Sequence, residues 1–273
     1  MKKLLVNKNS GLDILVRVQN VVIGGEEKVI ISGPCSVEGY DNMHAIASGL
    51  KKTGVHILRG GAFKPRTSPY DFQGFKEEGL KILKSVGNEF NMPIVTEVMD
   101  SKDIDLVLTY ADMLQIGSRN MYNYSLLKEV GKLKTPILLK RGMSATLSEW
   151  LYAAEYIMSN GNENVVLCER GIRTFETYTR NTLDLGSVAA IKHNYRIPII
   201  VDPSHGTGRR ELVARMSLAS IAAGADGLMI ESHITPDKAM SDAKQTVSLD
   251  TVDQIVKNVK KLSSCLETNM LNY

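Results

Sequence analysis

Eight short, β-branched apolar runs recur along this chain, each followed by a polar or glycine-rich turn and then a segment with helical apolar spacing. The runs are KVIISG (28–33), VHILRG (55–60), PIVTEVM (93–99), MLQIGS (113–118), PILLKRG (136–142), VVLCERG (165–171), PIIVDPS (198–204) and GLMIES (227–232). The segments between them, from NMHAIASGLKKTG to the last, SLDTVDQIVKNVKKL, read as helices with apolar residues every three or four positions. Alternating strands and helices dictate parallel strands joined by right-handed crossovers. Eight such units in 273 residues fit an α/β fold of the closed (β/α)8 TIM-barrel type better than an open doubly wound sheet. Ahead of the first run, LVRVQNVVIGGEEKVI reads as a β-hairpin with a glycine turn, an added element capping the barrel bottom. The expected organisation is an N-terminal extension (1–28), a barrel (29–265) and a C-terminal tail (266–273).

Composition excludes several function classes. The net charge is only +3, from 33 basic and 30 acidic residues with no long basic block, so nothing points to nucleic acid. Three cysteines without a CxxC spacing argue against a disulfide framework and for a reducing cytoplasm. The start, MKKLLVNKNS, has too short an apolar run for a secretory signal, and no stretch reaches the roughly 20 apolar residues that span a bilayer.

In a barrel of this kind, chemistry sits at the C-terminal ends of the strands. Chemically capable residues gather there: Cys35, then Arg59 and Lys64, Glu97, Ser118-Arg119, Lys140-Arg141, Glu169-Arg170, Asp202 with His205, and Glu231 with His233. Taken singly, a strand-end cysteine packs as a small hydrophobe, and a glutamate beside an arginine is an ion pair. Taken together, so much charge at one mouth is costly unless a ligand or metal compensates it.

Two subsets emerge. Arg59, Lys64, Arg66, Arg119, Lys140 and Arg170 are cationic and point to an anionic substrate carrying more than one phosphate or carboxylate. Cys35, His205, Glu231 and an acid in the loop SHITPDKAMSDAKQT, either Asp237 or Asp242, form a mixed donor set suited to a divalent Mn, Fe, Co or Zn ion. Cys168 reads as core or helix-facing, and His44, His56 and His193 as structural.

The strings GPCSVEG, RGGAFKPRTSPYDFQG, QIGSRNMYN, LLKRG, CERGIRTFE, DPSHGTGRR and MIESHITPDKAMSDAKQ closely resemble the 3-deoxy-D-arabino-heptulosonate 7-phosphate (DAHP) synthase family, in its short type I-beta subtype. The resemblance runs in order from residue 15 to residue 260. It implies condensation of phosphoenolpyruvate with erythrose 4-phosphate, the first step of the shikimate route to aromatic amino acids. It assigns the metal to Cys35, His205, Glu231 and Asp242, which favours Asp242 over Asp237. It assigns phosphoenolpyruvate to Arg59, Lys64, Glu97 through water, Ser118, Arg119, Lys140, Arg170 and His205. The segment Lys64-Pro65-Arg66-Thr67 becomes the clamp for the aldose phosphate. Candidates for handling the water proton are Glu97, Lys64 and His205.

The related 3-deoxy-octulosonate 8-phosphate synthases, which use arabinose 5-phosphate, are the alternative. They carry alanine-asparagine-arginine after the lysine, whereas this chain has Pro65-Arg66-Thr67. Some of them replace the motif cysteine by asparagine, so Cys35 argues for metal dependence. The resemblance also implies a homotetramer. Residues 1–28 are too few for the family's appended regulatory domains, so feedback control is expected only through a separate partner. Two further readings are a Schiff-base aldolase on Lys140 and a silent sugar-phosphate-binding barrel. The first leaves the donor set without a role, and the second leaves it without a reason to be intact.

Overall fold

The computed structural model describes residues 4–64, 68, 70 and 72–269. A small antiparallel hairpin, β1 (Val16–Val18) and β2 (Val21–Ile23), precedes the barrel. Its turn is Gln19-Asn20, with Gln19 in the left-handed region at φ 52°, and not glycine as the sequence suggested. Gly24-Gly25 instead leads out of the hairpin toward the barrel. Alternation buries Val16, Val18, Val21 and Ile23 against the main core.

Eight parallel strands then close on themselves: β3 (Val29–Gly33), β4 (Ile57–Arg59), β5 (Ile94–Glu97), β6 (Met113–Ile116), β7 (Ile137–Lys140), β8 (Val165–Glu169), β9 (Ile199–Val201) and β10 (Gly227–Glu231). They follow chain order around the barrel, and β10 pairs with β3 to close it. Every residue of β3, β4, β6, β7, β8, β9 and β10 is buried, as expected for strands covered on both faces.

The helices α1 (Tyr40–Thr53), α2 (Lys76–Glu89), α3 (Ile104–Leu108), α4 (Tyr124–Gly131), α5 (Leu147–Met158), α6 (Leu185–Asn194), α7 (Pro203–Thr207), α8 (Arg210–Ala222) and α9 (Leu249–Asn269) alternate with them. In α1 the inward stripe is Met43, Ile46, Ala47 and Leu50. Each large side chain buried this way stabilises the fold by about 2 kcal/mol over its exposed state. The start of α5 is fixed by a reciprocal cap: Thr146 Oγ1 accepts from Glu149 N, and Glu149 Oε2 accepts from Thr146 N. Helix α7 was not expected, since PIIVDPS read as strand to residue 204. The strand ends at Val201 because Asp202 caps a new helix whose first position is Pro203.

The bottom of the barrel uses one device repeatedly. Asp112 accepts from Ile94 N at 2.9 Å and pairs with Lys84, and Asp226 accepts from Ile199 N at 2.8 Å and pairs with Lys192. His56 Nδ1 accepts from Ile30 N at 3.0 Å, which bears out its structural reading. Each satisfies a strand-start amide that would otherwise be buried without a partner. No helix among the described residues is long and apolar enough to cross a membrane.

Candidate active site

The C-terminal strand ends surround a cavity of about 150 Å³. Arg59 reaches it from β4, Glu97 from β5, Ser118 and Arg119 from the turn after β6, Lys140 from β7 and Arg170 from just beyond β8. Lys64, His205 and Asp242 complete its polar lining. Five of the six cations singled out in the sequence therefore share one cavity. Pro65, Arg66 and Thr67, the expected aldose-phosphate clamp, lie outside the described residues.

Beside this cavity, donor atoms of Cys35, Glu231 and Asp242 all lie within 4.8 Å of one another. Cys35 Sγ is 3.2 Å from Asp242 Oδ2. His205 Nε2 is 3.4 Å from Glu231 Oε1 and 3.8 Å from Asp242 Oδ2, on the edge of this trio. Asp242 holds a left-handed backbone at φ 53°, uncommon for a residue with a side chain. The other candidate acid, Asp237, is exposed and pairs with Arg210 at 2.8 Å, away from the trio. One sulfur, two carboxylates and a nearby imidazole fit a borderline divalent cation, and their mutual proximity favours a positive charge among them.

The electrostatics follow from burial and partners. Burial, reinforced by Glu231, pushes the Cys35 thiol up to about 12, against the pull of Lys64. Lys64 Nζ donates to Cys35 O at 2.8 Å and lies 2.9 Å from its sulfur. Burial would also push the Glu231 carboxyl up, but His205 and Arg59 hold it down at about 2. Arg59 donates to Glu231 Oε1 at 2.7 Å, and Gln245 donates to Oε2 at 2.6 Å.

Asp202 organises two of the nominated residues. Its Oδ2 accepts from Lys140 Nζ at 2.6 Å and faces His205 Nδ1 at 2.7 Å, while its Oδ1 accepts from His205 N at 2.9 Å. A proton on His205 Nδ1 satisfies this carboxylate and leaves Nε2 directed at Glu231 and Asp242. Fully buried, Asp202 would be pushed up by desolvation, yet His205 and Lys140 hold it well below the usual aspartate value.

On the opposite wall, Glu97 Oε2 accepts from Gln115 Nε2 at 3.3 Å. The two stand side by side in register on β5 and β6. Gly117 allows this placement, since a Cβ there would sit 2.0 Å from Glu97 Oε1. Gly33 allows a similar close approach between β3 and β4: at φ 148°, its missing Cβ would lie 2.1 Å from Arg59 O.

Sequence reasoning passed over Gln115, Met143 and Arg180, which also line the cavity, and Gln245, which holds Glu231. Gln115 was readable from strand alternation opposite Glu97. Arg180 and Met143 arrive on loops, which carry no periodic signal. His233 turns away from the cavity, 3.3 Å from Glu38, and Cys168 shares the barrel's interior face with its registered neighbour Lys140.

The chain matches the family model described as the DAHP synthetase I family over residues 7–268. It is 47% identical over 254 residues to a phospho-2-dehydro-3-deoxyheptonate aldolase of Thermotoga maritima, covering 93% of this chain and 75% of that one. It is 30% identical over 262 residues to a 2-dehydro-3-deoxyphosphooctonate aldolase of Fusobacterium nucleatum, covering 89% and 93%. The crystal structure of phospho-2-dehydro-3-deoxyheptonate aldolase (DAHP synthase) from Thermotoga maritima superposes with a TM-score of 0.94 at 45% identity, covering 97% of this chain and 78% of that one.

Proposed function

This chain belongs to the DAHP synthetase I family, and we propose that it condenses phosphoenolpyruvate with D-erythrose 4-phosphate and water, giving 3-deoxy-D-arabino-heptulosonate 7-phosphate and phosphate. It is then a transferase, the 3-deoxy-7-phosphoheptulonate synthase that opens the shikimate route. The observation that carries the reading is the joining of a six-cation cavity lining, the five cations singled out in the sequence plus Arg180, to the Cys35, Glu231 and Asp242 trio.

In this reading Arg59, Arg119, Lys140 and Arg170, with Ser118, hold the phosphate and carboxylate of phosphoenolpyruvate. Lys64 stands between the two substrates, and Arg66 and Thr67 with Pro65 clamp the phosphate of the aldose. Cys35, His205, Glu231 and Asp242 would hold one divalent ion, Mn, Fe, Co or Zn. When bound, that ion supplies a Lewis acid for the aldehyde oxygen of erythrose 4-phosphate.

The chain's own groups do the rest. The cationic wall fixes phosphoenolpyruvate so that its C3 faces the aldehyde carbon, which lowers the entropy cost of forming the carbon–carbon bond. Lys64 Nζ donates to the oxygen on which charge develops. Glu97, oriented by Gln115, positions the water that adds at C2 and accepts its proton at a carboxylate oxygen. Phosphate then leaves by C–O cleavage, with Arg119 and Arg170 neutralising it. The family resemblance extends the proposal to a homotetramer in the cytoplasm, with any feedback control supplied by a separate partner.

The test is phosphate release from phosphoenolpyruvate by the metal-loaded enzyme. Release should require erythrose 4-phosphate; release from phosphoenolpyruvate alone, or none with both present, would contradict the proposal.

A further inference from the structure

A buried ion-pair network stands behind the cationic wall, and none of the chemistry above uses it. Arg141 follows Lys140 at the end of β7. Strand alternation turns it away from the cavity, into the layer between barrel and helices. There its Nη1 donates to Glu169 Oε2 at 2.9 Å, to Asp184 Oδ2 at 2.9 Å and to Ser187 Oγ at 3.2 Å. Its Nε donates to Ala145 O at 3.1 Å, and its guanidinium lies 5.6 Å from the centre of the Trp150 ring. Arg141 is 3% exposed and Glu169 is fully buried.

As a mere stabiliser such a network is a poor solution, because well-packed apolar groups do as well or better. Its connections show what it constrains. Glu169 Oε1, the oxygen not bound to Arg141, accepts from Gly171 N at 2.6 Å and from Asp184 N at 3.4 Å. Arg170 is thus bracketed by two clamped residues. Arg170 is 4% exposed and lines the cavity, and its guanidinium makes one hydrogen bond among the described residues, from Nη1 to Gly171 O at 3.4 Å. Among the described residues, the one hydrogen bond at the tip of Arg170 returns to its own neighbour Gly171 and ties it to no other element. Its direction is set at its backbone, by the Glu169 carboxylate, which Arg141 holds in place. Asp184 ties the same guanidinium to the start of α6, so the loop carrying Arg170 is anchored at both of its ends.

We propose that Arg141, acting through Glu169 and Asp184, is a positioning residue for Arg170 and so fixes the anion-binding wall that receives phosphoenolpyruvate. The inference rests on the reading of this cavity given under Proposed function. It concerns one substrate and not the other, and that asymmetry makes it testable.

The experiment compares wild type, Arg141→Lys, Arg141→Met and the double variant Arg141→Met/Glu169→Gln, all metal-loaded, for thermal midpoint, kcat, KM of each substrate and calorimetric binding of phosphoenolpyruvate. Arg141→Met should raise the KM for phosphoenolpyruvate about tenfold and leave that for erythrose 4-phosphate within about twofold, with Arg141→Lys in between. The double variant removes the orphaned buried carboxylate, so its thermal midpoint should recover toward wild type while its KM for phosphoenolpyruvate stays raised. It carries the test if Arg141→Met does not fold. Recovery of both together, or an equal rise for both substrates, overturns the proposal. A wild type that releases no phosphate sinks the functional reading itself, whereas an active wild type with an unaltered Arg141→Met sinks only this inference.

Discussion

Cys35 Sγ and Asp242 Oδ2 lie 3.2 Å apart although 207 positions separate them in the chain. The contact is a product of barrel closure. Cys35 follows β3 and Asp242 follows β10, the strands whose pairing seals the sheet. The donor group therefore assembles only when the first and last units of the barrel meet, which couples the site to the integrity of the whole fold.

If Cys35 holds the ion, a cobalt-substituted protein should show thiolate-to-cobalt charge-transfer absorption. Cys35→Ser should abolish that band and weaken metal binding by more than about 100-fold in equilibrium dialysis. An unchanged band in the variant would remove the thiol from the donor set.

Asp202 orients His205 through Nδ1 and anchors Lys140 at once. Asp202→Asn is expected to weaken metal binding about 10- to 100-fold, read by chelator competition on folded protein. Metal affinity equal to wild type would mean that His205 needs no such orientation.

The space at Gly117 belongs to Glu97. Gly117→Ala places a methyl 2.0 Å from Glu97 Oε1 and must displace it. Turnover should fall about 100-fold while the thermal midpoint changes little, because the displaced group is a side-chain end facing the cavity. Unchanged kcat would show that the position of Glu97 is immaterial.

Asp184 gives a pH signature. Partial burial alone would push its carboxyl up, but hydrogen bonds from Ser187 and from Arg141 hold it below the ordinary value of 3.8. A depressed folded-state value means that its stabilisation is present above the unfolded-state value and is lost as pH falls through the folded one. Asp184→Asn should therefore be less stable than wild type at neutral pH, by about 1 kcal/mol given its partial solvation. In urea unfolding the difference should shrink toward zero as pH falls through the lowered folded-state value. A pH-independent difference would show that the charge of Asp184 contributes nothing.

Period and punctuation made most of this architecture legible. All eight barrel strands fall within the apolar runs read from the sequence, because buried parallel strands are continuous apolar segments bounded by glycine or proline. The strand-end phase likewise brought Arg59, Lys140 and Arg170 to one cavity. Helix α7 was hidden because five residues cannot display a helical period, and the last helix reaches Asn269, beyond the 248–262 segment read for it, because its polar end carries little apolar signal. Arg141 was counted among the strand-end groups without a partner, because Asp184 and Glu169 are distant in sequence and meet it in the helix layer, where strand-end reasoning gives no guidance.

Substrate choice is the most direct test of the whole account. Phosphate release from phosphoenolpyruvate should be measured with erythrose 4-phosphate and, in parallel, with arabinose 5-phosphate, each with and without a chelator. The account predicts turnover with erythrose 4-phosphate, little or none with arabinose 5-phosphate, and loss of activity on chelation that Mn or Co restores. Preference for arabinose 5-phosphate, or full activity in a metal-free preparation, would contradict it.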